Sequence, residues 1–362
     1  MRRFVVVGPS IQSHLPGGNR YRQVADSLLG PHGKIDHVEW AYDLPPAERA
    51  AALDALLPVA AALIATPWFT LAEPGFPTFD DDRLRRATHL KVIAGTHDFR
   101  LGWVDLEAAE RHDVVVVDTS RTMTWTVAEF GVAIMLALLR DIPRAIDVVR
   151  AGDWTTVPQN GENVVRDLAE CRVGLAGYGS INRHIRRFVR PYGCDVGAFD
   201  PFADEAALAA DSVEPARSLV ELARASDILV VAIPPTPSTM HVVDADVIDA
   251  LAPGSLFVLL SRMAVVEQDA LWRRIRAGEL RAAIDVFDPE PPPSDAWFRR
   301  DPNVLPTPHI AGNVPFAHER CFREACFDAL RVLDGDVAEH AANRHDKRLY
   351  DGTLAETSTS DG

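Results

Sequence analysis

Cysteine is scarce in this 362-residue chain: Cys171, Cys194, Cys321 and Cys326, with no CxxC pair and no zinc-knuckle spacing among them. That excludes a disulfide scaffold and gives no ground to expect a metal site, so reduced thiols in a cytoplasmic protein are expected. Lysine is scarcer still, at Lys34, Lys91 and Lys347, and 37 Lys+Arg face 52 Asp+Glu for a net charge of −15. No basic cluster is available to neutralise the phosphates of a nucleic acid or an anionic membrane, and neither is expected as a partner. A local basic pocket for a small anion stays compatible with that total. No apolar run reaches the length of about 18 residues that a membrane span needs. The start, Met1-Arg2-Arg3-Phe4-Val5-Val6-Val7-Gly8, is too briefly apolar for a signal peptide.

What the chain does have is apolar residues, 47% of the total, enough for more than one buried core at this length. Short β-rich runs alternate with helical stretches. The first five are Phe4–Gly8, Asp36–Trp40, Ala61–Thr66, Leu90–Ala94 and Asp113–Val117. Most are nearly continuous in apolar residues, as strands covered on both faces are. Asp36–Trp40 mixes polarity and suits a sheet edge. A long helix is expected from Thr126 to about Arg140, kinked or ended by Pro143, then a polar loop over Gly152–Asp167. A second series follows: Arg172–Ala176, Asp195–Phe199, Asp227–Ile233, Gly254–Leu260, Ala282–Val286 and Asn303–Leu305. Six strands with intervening helices fit a doubly wound dinucleotide-binding sheet. A helix over Pro315–Leu333 comes next, and the polar tail after about Ala341 is expected to fray.

The strongest local motif is Val173-Gly174-Leu175-Ala176-Gly177-Tyr178-Gly179-Ser180-Ile181-Asn182. A strand runs into Gly177-x-Gly179, and a helix follows with Ile181, Ile185, Phe188 and Val189 on one face. Gly177 permits the tight bend, and Gly179 lets the backbone approach a pyrophosphate. The helix start at Ser180 and Ile181 supplies free N–H groups. Asn182 stands where the third glycine of this fingerprint is usual, which weakens the match. Asp200 closes the next strand, where an acid accepts hydrogen bonds from the adenosine ribose and repels a 2′-phosphate, favouring NAD over NADP. The bland alternative is a plain turn with a capping aspartate.

With these pieces in order, the sequence resembles the D-isomer-specific 2-hydroxyacid dehydrogenases from about Leu90 to Gly312. Thr126-Val127-Ala128-Glu129 is similar to the family's entry into a long helix, and Ile233-Pro234-Pro235-Thr236-Pro237-Ser238-Thr239 to its adenine-side loop. Leu251-Ala252-Pro253-Gly254-Ser255 precedes the strand leading to Arg262. Ala283-Ile284-Asp285-Val286-Phe287-Asp288-Pro289-Glu290-Pro291 and Thr307-Pro308-His309-Ile310-Ala311-Gly312 resemble the glutamate and histidine segments. The resemblance implies an α/β protein of two open doubly wound parallel-sheet domains. A Rossmann-type NAD domain, 121–312, would be inserted into a flavodoxin-like substrate domain, 1–120 plus 313–362. It also implies a homodimer built on the helix near Val127–Leu139, for which burial within one chain is the alternative.

Reduction of a 2-oxo acid needs a carboxylate anchor, a hydride beside the carbonyl carbon and a proton for its oxygen. Arg262 can fork two donors onto the substrate. His309 is the natural acid–base group, because an unperturbed imidazole titrates at about 6.5. Glu290 could hold that ring and favour its charged form. By the resemblance Asp285 faces the nicotinamide carboxamide, while Gly95, Thr96 and His97 line the substrate loop. Each residue alone reads as a surface cap, a loop charge or a turn; their order makes them a catalytic set.

Three departures stand out. Met263 follows Arg262 where glycine is usual, and a side chain there is expected to narrow the pocket or shift the arginine. The loop Gly95-Thr96-His97-Asp98-Phe99-Arg100-Leu101-Gly102-Trp103 replaces a GxG pattern, and Arg100 serves a second anion or points to solvent. Asn182 is the third. Trp68 and Trp297 are candidates to line the pocket or merely to pack in loops. The alternatives are an NAD(H)-sensing, corepressor-like binding protein on the same scaffold, and a phosphite- or formate-type dehydrogenase. Glutamine stands in the formate enzymes where Glu290 stands here.

Overall fold

The computed structural model describes residues 1–9, 20–40, 44–67, 77–95, 103–154 and 166–342. Two compact units divide the chain: Met1–Met123 with Val314–Gly362, and Thr124–Asn313.

The first unit holds strands β1 (Arg2–Pro9), β2 (Gly33–Trp40), β3 (Ala62–Ala65), β4 (Val92–Gly95) and β5 (Val115–Asp118). Its helices are α1 (Arg20–Leu29), α2 (Pro46–Asp54), α3 (Asp81–Arg86) and α4 (Leu106–Arg111). Every strand pair is parallel, in the order β2-β1-β3-β4-β5, the flavodoxin-like arrangement. Side chains alternate across the pleat, so Phe4 and Val6 enter one core while Val5 and Val7 enter the other. Both faces are covered, which explains the unbroken apolar runs. Each fully buried side chain of this kind contributes about 1.5–3 kcal/mol. The mixed-polarity strand β2 is at the edge, three residues longer at its start than the sequence suggests. Asp80 and Asp105 start α3 and α4 by accepting from the N–H groups of Arg83 and Ala108, both at 2.9 Å.

The second unit opens with helices α5 (Thr124–Leu139) and α6 (Ile142–Arg150). Its strands are β6 (Arg172–Ala176), β7 (Asp195–Phe199), β8 (Glu214–Pro215), β9 (Ile228–Val231), β10 (Leu256–Leu259), β11 (Arg281–Ile284) and β12 (Val304–Pro306). Helices α7 (Ser180–Val189), α8 (Glu205–Ala210), α9 (Leu219–Arg224), α10 (Ala245–Ala250) and α11 (Gln268–Arg276) alternate with them. The sheet order β12-β11-β10-β9-β6-β7-β8 is the Rossmann winding with one added strand. The six strands expected are joined by a seventh, β8, whose two exposed residues carry no apolar pattern to find. The final helix of the chain, α12 (Pro315–Asp334), returns to the first unit. There Phe322, Ala325, Cys326 and Ala329 close the core over Phe4, Ile64 and Val92.

Thr119–Leu139 is long and apolar enough, by length and average composition only, to cross a membrane. Thr, Ser, Arg and Glu interrupt it, and Ala128, Val132, Met135 and Leu138 of α5 are buried in one core with Leu175, Ile185 and Leu260. One expectation changes in the second unit. Pro143 neither kinks nor ends α5. Its first-turn place in α6 needs no N–H, and the break falls at Asp141, in the left-handed region at φ 52°. Most of the expected polar loop 152–167 and all of the tail beyond 342 lie outside the described residues.

Candidate active site

The winding of the second sheet reverses between β6 and β9, and such a switch point opens a crevice at the strands' carboxyl ends. Gly177 sits there at φ +80°, and a Cβ on it would come 3.2 Å from Ile233 Cγ1. Around Gly179 the space is open, with no heavy atom within 4 Å of where a Cβ would stand. Gly179 caps α7, and Arg183 is the first residue whose N–H bonds back, to the Gly179 carbonyl at 3.0 Å. The N–H groups of the first turn, Ser180 and Ile181 among them, therefore face out at the positive end of the helix. Open space, free donors and a helix terminus fit a pyrophosphate.

Asp200 follows β7. One carboxylate oxygen accepts from Tyr178 N–H at 2.7 Å, the other from Phe202 N–H at 2.8 Å. Each oxygen keeps a lone pair for a ribose hydroxyl. Asn182 is fully buried, and its amide donates to the carbonyls of Ala176 at 3.1 Å and Gly177 at 2.6 Å. Where the third glycine is usual, Asn182 thus makes two bonds to the turn. Pro234 lies in a half-buried loop tied by Thr239, whose hydroxyl meets the Pro234 carbonyl at 2.6 Å and accepts from Thr236 N–H at 2.7 Å.

A second group gathers beyond β10, β11 and β12. Arg262 is half-buried and donates to the Ser261 carbonyl at 2.7 Å. Met263 does not narrow a pocket: it is 3% exposed and packs in the core with Val243 and Val265, because the 3-10 turn at Met263–Val265 directs it inward. Asp285 is buried. One of its oxygens accepts from the Thr307 hydroxyl at 2.6 Å and Ile310 N–H at 2.9 Å, the other from Ala311 N–H at 2.9 Å. Its own carbonyl accepts from His309 N–H at 2.9 Å. Asp285 thereby folds the turn that presents His309, which sits in the left-handed region at φ 53°. Neither this holding role nor the part of Thr307 in it was read from the sequence, although Thr307 opens the histidine motif.

His309 Nδ1 lies 2.8 Å from one oxygen of Glu290, and the other oxygen accepts from Phe287 N–H at 2.7 Å. Burial pushes the Glu290 carboxyl up. The His309 and Phe287 hydrogen bonds and the charges of His309 and Arg262 outweigh this and hold it below its ordinary value. An ionised Glu290 requires the proton on Nδ1 and leaves Nε2 for other chemistry. Both side chains are partly open to solvent, 42% for His309 and 35% for Glu290. Trp297 does not line this site. It packs edge-on to Trp272 at 5.5 Å with Arg276 over its ring at 4.4 Å.

In the first unit Gly95 ends β4, and its carbonyl accepts from the Thr119 hydroxyl at 3.0 Å. Thr96, His97, Arg100 and Trp68 lie outside the described residues.

Residues 132–311 match the family model described as D-isomer specific 2-hydroxyacid dehydrogenase, NAD binding domain. The D-3-phosphoglycerate dehydrogenase of Methanocaldococcus jannaschii is 27% identical over 263 residues, which is 72% of this chain and 49% of that protein. A hydroxypyruvate reductase of Thermotoga maritima is 29% identical over 244 residues, 66% of this chain and 76% of that one. The chain spans about half the length of several phosphoglycerate dehydrogenases it matches. Among solved structures, a protein of Thermus thermophilus superposes with a TM-score of 0.72 at 26% identity, covering 94% of this chain and 99% of its own.

Proposed function

The chain belongs to the D-isomer-specific 2-hydroxyacid dehydrogenase family through its NAD-binding domain, and from that premise we propose that it interconverts a 2-oxo acid and the matching 2-hydroxy acid. NAD, held at Gly177, Gly179, Ser180 and Ile181 with Asp200 at the ribose, Pro234 near the adenine and Asp285 toward the nicotinamide, would supply the hydride donor or acceptor. Arg262 anchors the substrate carboxylate and carbonyl oxygen by its forked donors. His309 gives a proton from Nε2 to that oxygen in reduction and takes it back in oxidation. Glu290 fixes the ring and balances the imidazolium charge. Gly95, Thr96 and His97 form the substrate loop in this reading.

The observation that carries the proposal is the 2.8 Å pairing of His309 with a Glu290 carboxylate that is kept ionised. The experiment follows NADH absorbance against a panel of 2-oxo acids that includes hydroxypyruvate. D-3-phosphoglycerate is added in the oxidising direction, both choices following the relatives' names. Turnover should occur with at least one member, and His309→Ala should lower kcat by about 10²–10⁴-fold. Equal rates in the two proteins would remove His309 from the chemistry.

The proposal extends to a cytoplasmic homodimer. Helix α6 buries none of its residues and exposes Ile142, Ile146 and Val149 along one stripe. Trp125 at the start of α5 is also exposed. Unpartnered apolar stripes of this kind are typical of association surfaces.

A further inference from the structure

The geometry points to Asn182 as a positioning residue for the dinucleotide turn, an inference that rests on the NAD-binding reading and asks how this chain meets the loss of a glycine. The peptide joining Gly177 to Tyr178 is gripped at both ends. Its carbonyl oxygen accepts from the Asn182 amide at 2.6 Å, and its N–H donates to Asp200 at 2.7 Å. The preceding peptide is gripped as well: the Ala176 carbonyl takes Asn182 at 3.1 Å and Ala232 N–H at 3.1 Å, and Gly177 N–H donates to the Phe199 carbonyl at 2.8 Å. The Tyr178 carbonyl accepts from Arg183 Nε at 3.0 Å. Three successive carbonyls of the turn are therefore each held by a side-chain donor from α7.

That matters because the Gly177–Tyr178 peptide follows a residue at φ +80° with no Cβ to limit it. A reversal of this peptide would aim a carbonyl oxygen where a pyrophosphate oxygen would sit, and two partial negative charges would meet. Asn182 opposes that reversal from inside the fold. Its orientation is dictated by chemistry, since only the NH₂ end can face two carbonyls. Its Oδ1 is buried with no hydrogen-bond partner. An acceptor left so is unfavourable for the fold. The amide thus serves the turn at a cost to stability.

The test compares full-length wild type, Asn182→Ala and Asn182→Gly. NADH affinity is read by fluorescence, ADP-ribose and adenosine by displacement, and folding by Tm. Adenosine uses Asp200 and the adenine side but carries no pyrophosphate. Both variants should weaken NADH and ADP-ribose about tenfold, the equivalent of about 1.4 kcal/mol, and leave adenosine within about twofold. Unchanged NADH affinity overturns the inference, as does a loss shared equally by adenosine, which would mark a merely structural residue. If one variant fails to fold, the other decides. Failure of wild type to bind NADH would remove the NAD reading and this inference together, a result distinct from either outcome above.

Discussion

At the scale of the residue, Asp141 shows how a buried charge constrains the chain. Its carboxylate meets Arg281 at 2.7 Å, with side-chain exposures of 4% and 8%, and its second oxygen is buried without a partner. Two charges so far from water are tolerable only as a pair, and removing one strands the other. Asp141→Ala should cost about 3–5 kcal/mol of stability, measured by urea unfolding. A cost near that of a surface substitution would show that the pair is dispensable. Asn182 makes the contrasting case: it was legible in the sequence only as a missing glycine. Which way a buried amide points is decided by carbonyls brought up from β6, and no local pattern records that. Met263 likewise reads as an intruder beside Arg262 until the following turn directs it into the core.

At the scale of the element, the end of α12 is fastened by ionisable groups. Asp328 is fully buried and accepts from the N–H groups of Glu339 and His340, from Arg331 at 2.6 Å, and from His340 Nδ1 at 2.9 Å. Glu324 and Glu339 add negative charge around His340. Burial raises the Asp328 carboxyl, but the hydrogen bonds outweigh it and hold it below its ordinary value. The hydrogen bond to Asp328 holds His340 above its ordinary value. His340 therefore stabilises fully below an unfolded-state pKa of about 6.5, and that part fades as pH rises through its higher folded value. The Asp328 part is complete above about 3.9 and fades as pH falls through its lower folded value. Tm measured against pH should show the alkaline loss in wild type and a flatter limb in His340→Gln; parallel curves would contradict the account. Elements of this size were mostly legible. Continuous apolar runs revealed the strands covered on both faces, and mixed polarity marked the edge strand β2. What stayed hidden was β8, too short to carry a period, and the helix break at Asp141, where a proline three residues past Arg140 drew attention from the left-handed residue before it.

At the scale of the whole molecule, the exposed stripe of α6 leads to a prediction about assembly. Wild type should run as a dimer in light scattering, and Ile146→Glu should shift it to monomer with little change in Tm; a wild-type monomer would end the homodimer proposal. All four cysteines are buried and free, and burial pushes the Cys171 and Cys321 thiols up to about 11. The winding of the chain has a consequence for its birth. The sheet of the first unit is finished by residue 118, yet the helix that seals one of its faces starts at Pro315. A ribosome working at about 5–20 residues per second needs roughly 10–40 s to cross the gap. For that interval the core around Phe4, Ile64 and Val92 has Tyr21, Val24 and Leu29 of α1 but not α12 to cover it, while the intervening unit is completed first. A nascent chain stalled at residue 313 should accordingly be held by chaperones at its first segment, and one stalled well past residue 342 should be released.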